Sequence, residues 1–193
     1  MDHASDSDAM ATARSENLKN VRGNILEIGF GVGHSLAHYP PNVEKVSILD
    51  SNKKMLSKAT KRIERSDINI TTYVADTSFL PFADQTFEHV VSHMTLCSIL
   101  DVREALFEVH RILKKGGYFV FLEHGACPDK KTNRWQGYWN PIQKVIGGGC
   151  NCNRDIDTLI ASSGLEIIEL KNYHMGDAPK VLDYMYQGVA IKK

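Results

Sequence analysis

Short apolar runs alternate with amphipathic stretches along most of the chain. Asn24–Ile28, Lys45–Leu49, Asn69–Val74, Phe87–Ser92 and Tyr118–Glu123 are compact runs dominated by Ile, Val, Leu, Phe and Thr. Runs of this length and composition predict β-strands. Their near-continuous apolar character fits a parallel sheet covered on both faces. Between them, Asn52–Arg65 places Met55, Leu56, Ala59 and Ile63 on one helical face, and Arg103–Leu113 does the same with Leu106, Val109, Ile112 and Leu113. The second helix carries start and stop signals. Asp101 with Glu104 three residues on resembles a capping box, and Lys114-Lys115-Gly116-Gly117 reads as a helix end.

The last third of the chain departs from this rhythm. Residues 126–151 hold both tryptophans and the run Gly147-Gly148-Gly149, and show no clear period. A helix is predicted over about 153–163. Leu165–Leu170 and Tyr184–Ile191 follow as strand candidates with no helix between them, so they predict an antiparallel hairpin at the sheet edge. Residues 1–20 read as a mobile tail or a short lead-in helix. The expected organisation is one domain, 21–193, with an insertion at about 126–151.

Composition narrows the options. In 193 residues, 23 Lys plus Arg balance 23 Asp plus Glu, with 42% hydrophobic and 24% charged residues. A neutral balance gives no general attraction to nucleic acid or to an anionic membrane. No apolar run approaches the ~20 residues that cross a bilayer. The polar, acidic start MDHASDSDAM resembles neither a signal nor a transit peptide, and no hydrophobic anchor precedes the first strand. A cytoplasmic protein without membrane association is expected, with Cys97, Cys127, Cys150 and Cys152 as reduced thiols. Cys150-Asn-Cys152 has no second CxxC and no spaced His pair nearby, so the sequence predicts no metal centre. His34 and His38, one helical turn apart, read as surface.

The candidate chemistry lies at the ends of the predicted strands. Gly29, Gly31 and Gly33 follow the first strand, Asp50 the second, and Asp76 the third. In an open α/β sheet these positions share one edge, where ligands bind. A glycine bend lets the backbone approach a ligand closely. The spacing is G-x-G-x-G with His34 at the sixth position, which departs from the dinucleotide fingerprint G-x-G-x-x-G and weakens an NAD-type oxidoreductase reading.

The segments LEIGFGVG (Leu26–Gly33), SILDSNKKML (Ser47–Leu56), VADTSFLPFADQTFEHVVS (Val74–Ser92) and EVHRILKKGGYFVFLEHG (Glu108–Gly125) together resemble the class I S-adenosylmethionine-dependent methyltransferases. The resemblance implies an α/β fold: a Rossmann-like, doubly wound, mostly parallel sheet of seven strands with an antiparallel edge hairpin. It also implies roles. Gly29, Gly31 and Gly33 would wrap the methionine part of the cofactor, with Glu27 orienting the loop. Asp50 would accept from the ribose hydroxyls, Ser51 and Met55 would flank the adenine, and Asp76 with Thr77 would meet the adenine amino group. His93 would sit near the methionine carboxylate or the transferred methyl.

The implied acceptor is a small molecule: a thiol, an amine or a carboxylate. Ser92-His-Met-Thr-Leu-Cys97 replaces the (Asp/Asn)-Pro-Pro-(Tyr/Phe) motif of amino-methylating DNA enzymes, and no nucleic-acid partner is expected. HYPPNV (His38–Val43), HMTLCSILD (His93–Asp101), FLEHG (Phe121–Gly125) and the Trp139…Cys150…Arg154 segment are similar to a subgroup containing phospholipid-type and alkyl-thiol methyltransferases. His124, just past the fifth strand on the ligand edge, is with His93 a candidate catalytic base. Trp135, Trp139, Cys150 and Arg154 are candidate substrate contacts, with Trp135, Tyr138 and Trp139 as an apolar lid. A non-catalytic cofactor-binding protein remains the alternative, and the oligomeric state is not legible.

Overall fold

A computed structural model describes residues 7–193. Five strands run parallel: β1 (Ile25–Ile28), β2 (Lys45–Leu49), β3 (Asn69–Tyr73), β4 (Phe87–His93) and β5 (Leu113–His124). β6 (Glu166–His174) and β7 (Tyr184–Ile191) form the expected edge hairpin, and β7 lies antiparallel against β5. The sheet order is β3-β2-β1-β4-β5-β7-β6. The chain therefore reverses its winding between β1 and β4, the position where an α/β sheet opens a ligand crevice. Register aligns the carboxyl ends there, with Ile28 opposite both Leu49 and Ser92.

Alternation along the strands splits the core in two. Leu26, Ile28, Val90, Phe119 and Phe121 face one way, packing with α3 (Val102–Ile112) and α5 (Ile156–Ser162). Ile25, Val46, Ile48, Val91 and Val120 face the other, packing with Leu56 and Ala59 of α2 (Lys53–Glu64). Asn52 caps α2 by accepting from Lys54 N at 3.1 Å.

Of the two options for residues 1–20, the lead-in helix is present: residues 8–18 form α1, packed through Met10, Ala13, Arg14, Asn17 and Leu18, while residues 1–6 lie outside the described part. Several other local expectations are corrected. Asp101 makes no side-chain cap on α3. The Lys114-Lys115-Gly116-Gly117 segment is not a helix end. α3 stops at Ile112, Leu113 pairs with Phe87, and the register shifts between Phe87 and His89, so the glycines sit in an irregular start of β5. Residues 130–146 of the supposed aperiodic insertion form helix α4 (Lys130–Ile146). Trp135, Tyr138, Trp139, Ile142, Val145 and Ile146 do follow a helical period. Gly137 and Pro141, which argue against helix, mask it. All six side chains point outward, while Gln136 and Asn140 are buried. α5 is shorter and β6 longer than the sequence predicts. Among the described residues, no helix is long and apolar enough to cross a membrane.

Candidate active site

Beyond the carboxyl ends of β1, β2, β4 and β5 lies a cleft of about 980 Å³. Its first wall is the bend after β1. Gly29 N donates to Leu49 O at 2.7 Å, which ties the bend to β2. Gly29 has φ +64°, and a Cβ there would fall 2.0 Å from Thr95 Cγ2, so only glycine fits. Gly31, at φ +60°, has no atom nearer than 3.9 Å to the place of a Cβ, and that open space faces the cleft. Gly33 does not line the cleft; it packs behind the bend against Phe30.

Asp50 organises this wall. Its Oδ2 accepts from Gly31 N at 2.8 Å and its Oδ1 from Asn52 N at 2.7 Å. Ser51, Met55, Asp76 and Thr77 line the same end. Asp76 Oδ1 accepts from Ser78 Oγ at 2.5 Å and from Ser78 N at 2.8 Å. These bonds hold its carboxyl below the usual range, so it is an anion facing solvent.

The middle of the cleft is buried and polar. Burial pushes the Glu27 carboxyl up, opposed by Tyr39 OH donating at 2.8 Å, by Ser35 and by Arg14. His93 Nε2 lies 2.9 Å from Asn17 Oδ1, and its Nδ1 lies 3.1 Å from Ser35 Oγ and 3.4 Å from Arg14 Nη1. Burial, with the nearby Arg14 charge, holds His93 well below its ordinary value and therefore neutral. Both ring nitrogens face protein groups, so His93 ties α1 to the cleft wall. Arg14 and Asn17 were not singled out by the sequence. A buried cation on an otherwise helical segment is their only signal, and these polar residues on the packed face blur its apolar stripe.

The far end gathers sulfur and imidazole. Cys97 follows β4, His124 ends β5 and Cys150 follows α4, and all three line the cleft. Their ligand atoms lie within 4.8 Å of one another, with Cys150 Sγ 3.6 Å from His124 Nδ1. Hydrogen bonding to Cys150, then burial, pushes the Cys97 thiol well up; contact with Cys152 leads the rise at Cys150.

The other predicted substrate contacts are displaced. Trp135 and Trp139 are exposed on α4 and do not line the cleft. A lid over it is not what they form in this arrangement. Arg154 points away, donating to Leu96 O behind the wall. Cys127 and His174 pair with each other at 3.9 Å, apart from the cleft cluster.

A family profile described as "Methyltransferase domain" matches residues 26–121. Thiol S-methyltransferase TMT1B of Rattus norvegicus is 31% identical over 147 residues, 72% of this chain and 60% of its own length. Phosphatidylethanolamine N-methyltransferase of Cereibacter sphaeroides is 27% identical over 172 residues, covering 86% of this chain and 80% of that protein. The chain thus spans about three fifths of the rat enzyme's length. The crystal structure of the YcgJ protein from Bacillus subtilis superimposes with a TM-score of 0.70 at 17% identity, over 94% of this chain and 98% of that one. Profile, relatives and sheet order agree with the glycine bend and its two acids: the chain belongs to the class I S-adenosylmethionine-dependent methyltransferases.

Proposed function

We propose that this protein transfers the methyl group of S-adenosylmethionine to a small thiol in the cytoplasm. One observation carries the reading. A single cleft joins a glycine-and-carboxylate end suited to an adenosyl group with a buried sulfur–imidazole end suited to a soft acceptor. The similarity to thiol S-methyltransferases points to the same acceptor class. The open space at Gly31 and the carboxylates of Asp50 and Asp76 fit the donor.

When bound, the cofactor supplies an activated methyl group on a sulfonium. The chain's own residues then have positioning tasks. Asp50 holds the bend by its bond to Gly31 N and offers acceptor capacity to ribose hydroxyls. Asp76, ionised, accepts from an amino group at the adenine end. The buried Arg14 guanidinium, beside Ser35 and His93, is placed for a carboxylate. α1 and the β6–β7 loop, through Met10 and Met175, help exclude water from the middle of the cleft. His124 stands with Cys97 and Cys150 at the end of the cleft where an acceptor thiol would be activated. Orientation of two bound partners contributes up to about 7–11 kcal/mol to such a displacement.

The test is twofold. Calorimetry with S-adenosylmethionine against NAD separates a methyltransferase from an oxidoreductase. A coupled assay for S-adenosylhomocysteine with thiol, amine and carboxylate panels should show turnover on thiols. Binding without turnover on any class would favour the non-catalytic alternative, and turnover on amines alone would reassign the acceptor.

A further inference from the structure

We infer that Cys97, His124 and Cys150 form a zinc site whose fourth position opens into the cleft. The inference deepens the thiol reading and rests on it for its role, not for its existence.

The fold assembles these residues from three separate segments. The irregular turn after β4 delivers Cys97, the end of β5 delivers His124, and the glycine run after α4 delivers Cys150. Asn151 ties two of the segments together: its backbone N donates to Cys97 O at 2.8 Å and its side-chain Nδ2 to the same oxygen at 3.0 Å. From the other side, Glu123 Oε2 accepts from Cys97 N at 3.3 Å, while its Oε1 accepts from Thr95 N and Ser92 Oγ. The backbone on either side of Cys97 is therefore fixed from two sides, and through Asn151 it is tied to the residue after Cys150.

One pair of the set already has zinc spacing, and all three ligand atoms lie within 4.8 Å of one another. Zn–S bonds of about 2.3 Å and Zn–N bonds of about 2.0–2.1 Å in a tetrahedron put a sulfur and a ring nitrogen about 3.6 Å apart. Cys150 Sγ and His124 Nδ1 are 3.6 Å apart. A Cys₂His set with one open position is the pattern of a catalytic rather than a closed structural zinc. Cys152 Sγ is 3.7 Å from Cys150 Sγ, but it lies outside the mutually close set and does not line the cleft. It is a neighbour of the site, not its fourth ligand.

The open position explains why the site faces the cofactor cleft. An incoming thiol R–SH binds there as R–S⁻, and its proton passes to solvent. The thiolate sulfur attacks the sulfonium methyl. The S–CH₃ bond of the donor breaks with its electron pair returning to the donor sulfur, giving R–S–CH₃ and S-adenosylhomocysteine. Coordination then does what a lone imidazole does by proton transfer, and thiolate is the reactive species.

The full chain, purified with reductant and stripped with a chelator, tests this directly. Zinc should be taken up at one ion per chain. Cobalt(II) should give the intense visible spectrum of a tetrahedral site with thiolate-to-metal bands, displaced by zinc. Cys97→Ser, Cys150→Ser and His124→Ala should each weaken zinc by more than the roughly 10–100-fold that loss of an outer-shell partner costs. Cys152→Ser should retain it, and S-adenosylmethionine calorimetry on each variant reports that the fold persists. No stoichiometric uptake by the parent chain overturns the inference even if variants misfold. So does uptake indifferent to His124→Ala. Thiol methylation that survives chelation, with no metal uptake, refutes the zinc site and leaves the proposed function standing. Zinc uptake with the expected variant pattern but no turnover on thiols refutes the function and leaves the site.

Discussion

Gly29 and Gly31 share nearly the same backbone angle, +64° and +60°, yet differ in what surrounds them. An alanine at either must adopt a left-handed conformation, which costs about 1–2 kcal/mol. At Gly29 the added methyl also falls 2.0 Å from Thr95 Cγ2 and 2.2 Å from Thr95 Oγ1. Thr95 is buried, and its hydroxyl bonds Gly29 O at 3.1 Å, so it has little freedom to turn away. Overpacking of this kind adds about 1–3 kcal/mol. Gly29→Ala should therefore lose about 2–5 kcal/mol in total, and Gly31→Ala only the first part. For a chain of this size each kcal/mol moves the melting midpoint by roughly 2–4 °C. Denaturant melts without cofactor should rank Gly29→Ala well below Gly31→Ala. Titration with S-adenosylmethionine should show Gly31→Ala losing affinity out of proportion to its small stability loss, because its methyl fills space in the cleft. Equal stability losses, or an unchanged affinity in Gly31→Ala, would refute the assignment of one glycine to packing and the other to the ligand.

Asp50→Asn turns one of two anionic acceptors into a donor facing a backbone N–H. At about 1.5–3 kcal/mol for a hydrogen bond to a charged group, cofactor affinity should fall by at least about tenfold in calorimetry. His93 is held below its ordinary value of 6.5 by burial and by Arg14. The folded chain thus binds fewer protons than the unfolded chain, and the stability His93 contributes is full above pH 6.5 and lost below it. Its share of the slope is up to about 1.4 kcal/mol per pH unit. Urea midpoints of His93→Gln should vary less between about pH 5 and pH 6.5 than those of the parent; an unchanged slope would place the titration elsewhere, at His89 or His110. Trp139→Ala should leave turnover on a small soluble thiol within about twofold, since the indole does not line the cleft. A large loss in the coupled assay would restore a contact to substrate.

The sheet was legible because its strands are short and apolar, and their alternation puts Leu26 and Ile25 on opposite layers. One end of the cleft was legible for a related reason: Gly29, Asp50 and Asp76 each follow a strand, so sequence position alone brings them to one edge. The grouping at the other end was only half legible: His124 and Cys150 were each candidates, but Cys97 was not. Cys97, His124 and Cys150 come together only through the turn after β4 and the path of α4, and no spacing rule links residues so far apart. Trp139, read as a substrate contact and lid residue from its place after β5 and its family likeness, instead faces outward because α4 buries Gln136 and Asn140. Gln136 serves as a backbone surrogate, with Oε1 accepting from Cys127 N and Nε2 donating to Gly125 O. Arg14 and Asn17 were missed because a helix that buries polar groups against a polar cleft shows no apolar stripe.

Pro141 interrupts α4 in a way that bears on the cleft mouth. Lacking an N–H, it leaves the carbonyl of Gly137 without its helical donor, and Gly137 has open space around it. α4 nevertheless runs unbroken from Lys130 to Ile146, with one backbone hydrogen bond fewer at its middle. The amino-terminal half is anchored through Gln136 to Gly125, just past β5, while the carboxy-terminal half contributes Gln143 and leads to Gly147 and Gly148 on the rim. A hydrogen bond missing from the middle of α4 is thus the nearest backbone irregularity to the rim that carries Gly147, Gly148 and Cys150.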